Sequence, residues 1–535
     1  MRVLLINPFY PIGETPSPPL GLAYLAGALE AAGIEVRVLD LVVTPGGARR
    51  LETLLAEFAP QAVGLTAVTM NVDRALSLAA AIKRLDPAAL TVLGGPHASF
   101  CAEKTLAACP ALDVVVRGEG EETLVELCRA IERRRPLSSV RGITVREGDG
   151  FRSTPDRPFL ADLDRLPLPA RHLLPLGRYR ALGLSVSMTT SRGCPHRCIF
   201  CVGRRMVGPR VRLHGVRRVV DELAELSALG FPQVNLADDW FTADARRCRA
   251  VCDEILARGL NIRWTSFARV DSVSEALLCR MKAAGCAAVS FGLESANRGI
   301  LRTAKKGITP EQARAAVEAC RRAGVTAMAS FILGLPGETP ETLAETLAFG
   351  EELAARGLQY GFHLLAPFPG TEVRERSAAL GLRILTDDWS RYDANRAVCE
   401  TEAAPAALLE TVARDWEGRF QKYLAEIGRR RDEGKAGEQE RRTLENLERI
   451  VLLYELMMGE AVEGAGSWEL PDGGDPLAGL LERVGSSFAG DRNKLAAALS
   501  SAFGRGDLEC VREGRAVRFR WRESLAAAKG PRTGA

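Results

Sequence analysis

The sequence has few aromatic residues, few histidines and no long apolar run. Aromatic residues make up 6% of its 535 residues, and only five residues are histidine. The net charge is only +4, which favours neither a nucleic acid nor an anionic membrane as partner. No apolar run reaches the roughly 20 residues that a membrane-spanning helix needs. The start MRVLLINPFYP is typical of a β-strand rather than of a signal peptide, so we expect a cytoplasmic protein without a membrane span.

Two common nucleotide-binding motifs are also absent. No Gly-x-Gly-x-x-Gly follows the first predicted strand, and no Gly-x4-Gly-Lys-Ser/Thr occurs anywhere. Flavin or nucleotide binding by the first domain is therefore disfavoured. Hydrophobic residues make up 47% of the chain, enough to form the cores of about three to four domains at roughly 150 residues each.

Residues 1–135 alternate short β-branched runs with helix-period segments such as GLAYLAGALEAAG. This alternation predicts a doubly wound, Rossmann-like parallel sheet with helices on both faces. Ligands of such sheets bind at the carboxyl ends of the strands. Two glycine-rich turns fall there, namely Gly94-Gly95-Pro96-His97 and Gly118-Glu119-Gly120-Glu121.

Residues 136–184 are predicted to form a hairpin and a proline-rich connector, and alternation resumes over residues 185–395. Six strand-helix units predict a partial barrel, with functional groups at the carboxyl ends of its strands. Residues 396–535 are charge-rich and mainly helical in pattern. They match no motif, and we expect them to cap the barrel and shape substrate entry.

Three of the thirteen cysteines form a cluster just after the first barrel strand. Cys194, Cys198 and Cys201 have the spacing Cys-x3-Cys-x2-Cys, and thiolates select zinc or iron–sulfur clusters. A structural zinc site needs four ligands, so it would require His196 or His214 as well. Three cysteines alone would leave one iron of a [4Fe–4S] cluster open to a substrate.

This motif, with Phe200 before the third cysteine, resembles the radical S-adenosylmethionine (SAM) superfamily. The resemblance implies that Cys194, Cys198 and Cys201 ligate a [4Fe–4S] cluster whose open iron binds SAM. It also implies SAM contacts from strand-end motifs, FGLES around the fourth strand and FILGLPGE around the fifth. The expected SAM-binding residues are Phe200, Glu294, Ser295 and Gly334.

Further residues near the predicted strand ends are candidates for a substrate cavity. Aromatic residues in such positions are more often core packing than substrate contacts. The candidate cavity residues are Asp238, Trp240, Arg269, Tyr360 and His363, and no catalytic residue is assigned.

A doubly wound domain ahead of such a barrel resembles the cobalamin-binding domain of B12-dependent radical SAM enzymes. Asp-x-His-x-x-Gly, whose histidine ligates cobalt in other cobalamin domains, is absent. We therefore expect His97 to lie near the corrin edge rather than to bind cobalt. The cobalamin contacts implied by the resemblance are Leu20, Gly21, Gly94, Gly95, Pro96, His97, Gly118, Glu119, Gly120 and Glu121.

The resemblance implies an enzyme with a [4Fe–4S] cluster, SAM and cobalamin as cofactors. The leading hypothesis is a methyltransferase that moves a methyl group from SAM, via methylcobalamin, to an unactivated carbon of a small molecule or natural product. The alternative is an oxidative cyclase or rearrangement enzyme that transfers no methyl group. A non-catalytic iron–sulfur or cobalamin sensor would require the SAM motifs to be accidental. An electron donor of the flavodoxin or ferredoxin type is implied as partner.

Overall fold

The computed structural model describes residues 1–10, 16–471 and 473–525. These residues form an α/β domain, a partial barrel and a mainly helical carboxyl-terminal part, in the order that the sequence predicts. Within the described ranges, no helix is both long and apolar enough to cross a lipid bilayer. The predicted fold class is confirmed.

The first domain is built on a seven-stranded sheet of order β2-β1-β3-β4-β5-β6-β7. The first five strands are parallel. All of them except the edge strand β2 are nearly continuously apolar, because helices cover both faces. The hairpin that the sequence assigned to the connector adds two antiparallel strands to this sheet, so the sheet extends beyond residue 135. The strands are β1 (Arg2–Asn7), β2 (Glu35–Asp40), β3 (Ala62–Thr66), β4 (Leu90–Gly94), β5 (Val114–Val116), β6 (Ile143–Glu147) and β7 (Gly150–Ser153).

Helices of the first domain follow the strands in doubly wound fashion, and their apolar faces pack on the sheet. They are α1 (Leu20–Ala31), α2 (Gly47–Phe58), α3 (Val72–Leu85), α4 (Pro96–Phe100), α5 (Ala102–Ala108) and α6 (Glu121–Glu132), and α7 (Leu176–Ala181) lies in the connector.

The second domain is a six-stranded parallel sheet of order β15-β14-β13-β12-β11-β8. Strands β8 and β15 are its free edges, so the barrel is open between them. The six strands are β8 (Val186–Met188), β11 (Val234–Leu236), β12 (Trp264–Ala268), β13 (Cys286–Glu294), β14 (Thr326–Leu333) and β15 (Leu358–Leu364). Four two-residue strands form two separate antiparallel pairs, β9 with β10 and β16 with β17. They are β9 (Ser191–Arg192), β10 (Arg212–Leu213), β16 (Arg383–Ile384) and β17 (Cys399–Glu400).

Long helices cover the outer face of the barrel sheet, and short helices lie in the loops beyond its strands. Two of them begin at a threonine N-cap followed by proline, Thr309 and Thr339, which explains their sharp starts. The helices are α8 (Gly203–Met206), α9 (Val216–Ala228), α10 (Ala245–Ala257), α11 (Glu275–Ala283), α12 (Arg298–Thr303), α13 (Pro310–Ala323), α14 (Pro340–Ala354) and α15 (Glu372–Glu375).

Alternate residues of the barrel strands face either the helices or the interior of the barrel. Trp264, Phe291 and Phe331 belong to the core between strands and helices. The residues on the opposite side of the strands, such as Phe267 and Met328, point to the interior. We call this interior side the inner face.

The carboxyl-terminal part bridges the two free edges of the barrel. Trp416 of its first helix packs against Tyr360 of β15, with ring centroids 4.7 Å apart. On the second helix, Arg449 donates from Nη1 to the carbonyl oxygen of Ala181, shortly before β8. Its elements are α16 (Ala406–Asp432), α17 (Glu438–Met458), β18 (Ser467–Glu469), α18 (Pro476–Ser487), α19 (Arg492–Gly504), β19 (Leu508–Glu513) and β20 (Ala516–Trp521).

Candidate cofactor-binding site

The three clustered cysteines stand on one loop between β9 and α8. Cys194, Cys198 and Cys201 are unpaired thiols that are at least partly exposed. Burial raises the pKa values of the Cys194 and Cys198 thiols above that of an ordinary cysteine. Thiols bind metals as thiolates, so metal loading of this loop must release protons.

Two aspartates after β11 fasten the start of this loop. The buried Asp238 accepts hydrogen bonds from the backbone N–H of Thr190 at 2.5 Å and from the hydroxyl of Ser191 at 2.6 Å. The hydroxyl of Thr190 donates at 2.5 Å to Oδ2, the same oxygen that accepts from Ser191. Asp239 accepts from the backbone N–H of Gly193 at 3.2 Å. Asp238 was expected in the substrate cavity, but both of its oxygens are used to hold the loop.

Gly193 is required at the turn before the first clustered cysteine. Its φ is +105°, a left-handed conformation that glycine tolerates best. A Cβ at this position would stand 2.1 Å from the carbonyl oxygen of Arg210. No other residue fits here without moving the backbone, so this glycine sets the path of the cysteine loop.

The zinc alternative finds no support in the arrangement of side chains. His214 is engaged with Asp164 at 2.9 Å, and the ring of His196 packs on Trp240 at 4.9 Å. The thiol donor set on a partly exposed loop fits the larger iron–sulfur group instead.

A buried ion pair stands at the carboxyl end of β13. Glu294 Oε1 accepts a hydrogen bond from Lys306 Nζ at 2.7 Å, and the two residues are 4% and 9% exposed. Burial disfavours the charged ammonium, but the facing Glu294 carboxylate outweighs it and raises the pKa of Lys306. The ammonium also lies 5.9 Å from the ring centre of Phe200. Acidic and basic groups therefore stand side by side next to the cysteine loop.

The backbone around this ion pair leaves space for the side chains of Glu294 and Lys306. Glu294 has a φ of +64°, and the pairing of β13 with β14 shifts register just before it. A Cβ at Gly292 would stand 2.4 Å from Glu294 Oε1 and 2.8 Å from Lys306 Nζ. The glycine of the FGLES motif thus leaves room for both charged groups.

The loop after β14 is held by a buried carboxyl group. Glu338 accepts hydrogen bonds from the backbone N–H groups of Gly334 at 2.6 Å and Leu335 at 3.0 Å. Burial raises the pKa of Glu338 to about 7, although both hydrogen bonds oppose this shift. Gly334, with a φ of +91°, is placed by this carboxyl group.

Trp240 and Arg269 lie beside the cysteine loop, as the sequence suggested for cavity residues. The Arg269 guanidinium lies 5.9 Å from the ring centre of Trp240 and donates to the carbonyl oxygen of Lys306 at 3.0 Å. Its charge is paired with Asp271 at 2.8 Å. Arg269 therefore connects the loops after β12 and β13.

Two other expected site residues occupy different surroundings. The hydroxyl of Ser295 is hydrogen-bonded to Thr346 of α14 at 3.1 Å, which directs it to the helix layer rather than to the inner face. Tyr360 also faces this layer, where it packs on Trp416. His363, three residues further along the same strand, lies on the opposite side and faces the interior.

A cavity of about 290 Å³ lies at the carboxyl ends of the first-domain strands. A Cβ at Gly21 or Gly118 would meet no atom within 4 Å, so these glycines leave open space that a side chain would fill. The lining is mostly apolar. Of the expected cobalamin contacts, those lining the cavity are Gly21, Gly94, Gly95, Pro96, Gly118, Glu119, Gly120 and Glu121.

Leu20 and His97 are not among the residues that line this cavity. His97 is buried, with Nδ1 3.3 Å from the hydroxyl of Thr69 and its ring 5.0 Å from that of Trp389. Burial lowers the pKa of His97 to about 4, and Arg374 adds to this effect. Its surroundings are those of a packed neutral imidazole.

Ion pairs connect this cavity to the cysteine loop. Arg192 donates to Glu119 at 3.2 Å and to Glu121 at 2.6 Å, and it also lines the cavity. Arg212 donates to Glu119 at 2.7 Å. Burial works against ionisation of Glu119, but the Arg212 guanidinium outweighs it and lowers the pKa of Glu119. Arg192 stands two residues before Cys194, so the two sites share one edge.

Sequence reasoning missed the residues that support the site. They are Arg192, Arg212, Lys306 and Glu338. Two of them had a visible signal, because Arg192 directly precedes the Gly-Cys of the motif and Glu338 ends the FILGLPGE motif. Lys306 had none, since it follows a short helix in an ordinary Lys-Lys-Gly turn.

Two known protein families match this chain, one over the first domain and one over the barrel. The B12 binding domain family matches residues 14–128, and the radical SAM superfamily matches residues 188–350. The first range contains the glycines that line the first-domain cavity, and the second contains the cysteine loop.

Several characterised and uncharacterised proteins are similar over most of the chain. An uncharacterised methyltransferase of Pyrococcus horikoshii is 36% identical over 73% of this chain and 86% of its own length. The anaerobic magnesium-protoporphyrin IX monomethyl ester cyclase of Rubrivivax gelatinosus is 30% identical over 74% of this chain and 72% of its own length. The solved structure of the radical SAM methyltransferase TsrM from Kitasatospora setae, with cobalamin and a [4Fe–4S] cluster bound, superposes with a TM-score of 0.61 at 26% identity, over 76% of this chain and 80% of that chain.

The fold and the paired sites define an enzyme with a cobalamin-binding domain ahead of a radical SAM barrel. The chain belongs to the cobalamin-binding radical SAM family. The cofactors of this family are a [4Fe–4S] cluster, SAM and cobalamin, which confirms the cofactors expected from the sequence.

Proposed function

We propose that this protein is a cobalamin-dependent radical SAM methyltransferase that methylates a carbon atom of a small molecule. The observation that carries the proposal is the shared edge of the two sites. Arg192 lines the glycine-lined cavity and stands two residues before Cys194 on the cysteine loop. A methyl carrier and a radical source must both reach one substrate carbon, and this arrangement brings their binding sites together.

Cys194, Cys198 and Cys201 would hold the cluster, and Glu294 with Lys306 would bind the amino-acid end of SAM. That end carries one ammonium and one carboxylate, and the buried ion pair offers a partner of opposite sign to each. Together, the bound cofactors supply an activated methyl group and a radical able to abstract hydrogen from carbon.

The first domain would bind cobalamin through its glycine-lined cavity. Glycines at the strand ends let the backbone approach a flat ring where side chains would block it. Arg192 and Arg212 hold the Glu119 loop against the barrel, which keeps the rim of this cavity in a fixed position.

The proposal also includes an electron donor and a cytoplasmic location. An electron donor of the flavodoxin or ferredoxin type would reduce the cluster. All thirteen cysteines are unpaired thiols, which is consistent with a reducing, cytoplasmic environment.

The cyclase alternative is favoured by one observation, the 30% identity to the protoporphyrin ester cyclase. A single experiment separates the two reactions without knowledge of the substrate. The protein is purified without oxygen, reconstituted with iron, sulfide and cobalamin, and incubated with reductant and methyl-deuterated SAM. Mass spectrometry then determines whether the cobalamin carries the deuterated methyl group.

We expect labelled cobalamin from the wild-type protein. Bound cobalamin that never acquires the label would favour cyclisation or rearrangement. Cys198→Ala should lose cluster absorbance and SAM cleavage, whereas Cys279→Ala, which removes an exposed thiol outside the loop, should keep both. SAM cleavage by Cys198→Ala would contradict the cluster assignment.

A further inference from the structure

The strands of the inner face carry no charged side chain below the carboxyl-terminal rim, and most of their inward positions are polar, for example Asn235, Thr265 and Ser290. At the opposite rim, Arg263 precedes β12 and donates to Gln233. At the carboxyl-terminal rim, Glu294 is paired with Lys306, and Arg269 is paired with Asp271. Below it, the inward positions of the six described strands carry no Asp, Glu, Lys or Arg. A charged substrate group placed there would lose its hydration without gaining a counter-charge.

Two large apolar side chains of the inner face are exposed. Phe267 is 51% exposed and Met328 is 42% exposed. Both are aligned with Ser290, which lies between them on β13. Strands two apart in a sheet are separated by about 10 Å, so the two side chains flank a space wide enough for a hydrocarbon chain or a ring.

We propose that the substrate is a neutral small molecule with a hydrocarbon chain or fused-ring body. That body is held between Phe267 and Met328. This inference rests on the proposed function, because it assigns the substrate class of the same site. Burial of the exposed apolar surface stabilises the complex, and the uncharged wall discriminates against ionised molecules.

Decanol and decanoate are a matched pair of probes, because they share one chain length and differ in charge. Equilibrium dialysis of each radiolabelled probe against the reconstituted holoenzyme, with SAM present, measures both dissociation constants. The bound cofactors fill the first-domain cavity, so that cavity does not compete for the probe. We expect decanol to bind at least about tenfold more tightly than decanoate.

Variants locate the probe. Met328→Glu and Phe267→Asp should each weaken decanol binding about tenfold, while Met328→Leu should retain it. Leu85→Glu is the matched control, because Leu85 is an equally exposed apolar residue on α3 of the first domain. Cofactor content and thermal midpoint report whether each variant is folded.

Equal or tighter binding of decanoate, or wild-type decanol affinity in folded Met328→Glu and Phe267→Asp, would overturn the substrate class. The experiment with methyl-deuterated SAM on the wild-type holoenzyme tests the proposed function independently of the substrate class. If cobalamin acquires the label but decanol does not bind selectively, the methyltransferase proposal is supported and the proposed substrate class is wrong. Selective decanol binding without label supports the apolar site and counts against methyl transfer.

Discussion

Arg192, in the strand before the cysteine loop, donates to the carboxylate of Glu121 in the first domain, with 2.6 Å between Nη2 and Oε1. The same guanidinium reaches Glu119 at 3.2 Å. The side chains of Arg192 and Glu121 are 12% and 10% exposed, so solvent screens the pair only weakly. One arginine therefore connects the strand before the cysteine loop to the rim of the glycine-lined cavity.

Arg192→Met should loosen the contact between the two domains. Two largely buried carboxylates would lose a counter-charge, which costs about 3 kcal/mol. We expect an earlier urea midpoint and faster loss of bound cobalamin on gel filtration. Arg258→Met is the control, because its partner Asp221 is 57% exposed and such pairs contribute at most about 1 kcal/mol. Equal losses in the two variants would contradict the coupling role of Arg192.

Lys306→Met should weaken SAM binding by at least about tenfold. The variant removes the cation beside Glu294 and leaves that carboxylate buried without a counter-charge. Isothermal titration calorimetry of SAM into the cluster-containing protein measures the change, and Lys306→Arg should recover part of it. The neighbouring Lys305 pairs with Glu372 and is 46% exposed, so Lys305→Met should bind SAM normally. Normal binding by Lys306→Met would exclude this residue from the SAM site.

Glu338 should make the stability of the protein fall as pH rises. Its pKa is about 7 in the folded chain, against an ordinary value of 4.5, so the folded state holds the proton more tightly. Stability from this group is full below about pH 4.5 and is lost as pH rises towards about 7, by up to about 3 kcal/mol.

Glu338→Gln tests this dependence, because the amide oxygen can still accept from Gly334 and Leu335. Urea unfolding of both proteins over a pH series should show equal stability near pH 4.5 and a more stable variant above about pH 7. A difference between the two proteins that does not change with pH would show that burial does not shift this carboxyl group.

Gly21→Leu should lower cobalamin affinity without unfolding the protein. A Cβ at Gly21 meets open space in the cavity, and replacing a helical glycine removes up to about 1 kcal/mol of unfavourable helix propensity. Cobalamin binding, followed by absorbance, should weaken while the thermal midpoint is kept or raised. Gly418→Leu is the matched control, since this α16 glycine is equally open but lies outside the cavity. Undiminished cobalamin binding by Gly21→Leu would show that cobalamin does not bind in this cavity.

Much of the fold was predictable from local pattern. β-branched runs and helix-period segments predicted the parallel strands and their order along the chain. The hairpin around Ile143–Glu147 was assigned to the connector, but it pairs with β5 and extends the first sheet. Pairing between strands depends on which edge is free in the folded domain, and no local signal reports that.

Within the site, spacing was informative and orientation was not. The cysteine motif and the glycine turns lie where the strand ends predicted them. Tyr360 and His363 were both expected in the cavity, although residues three apart on a strand face opposite sides. Ser295 follows a left-handed Glu294, and that backbone turn directs its hydroxyl to α14.

The sequence by itself determined the thiol donor set, the glycine-rich turns and the alternation of strands and helices. These features depend on residue type and on short-range spacing, which the chain carries in its order. Only the tertiary structure decided that Lys306 faces Glu294 and that Arg192 holds Glu119 and Glu121. It also decided that the barrel strands below them place no charged side chain on the inner face. Such contacts join residues distant in the chain, and they exist only once packing has removed water from between them.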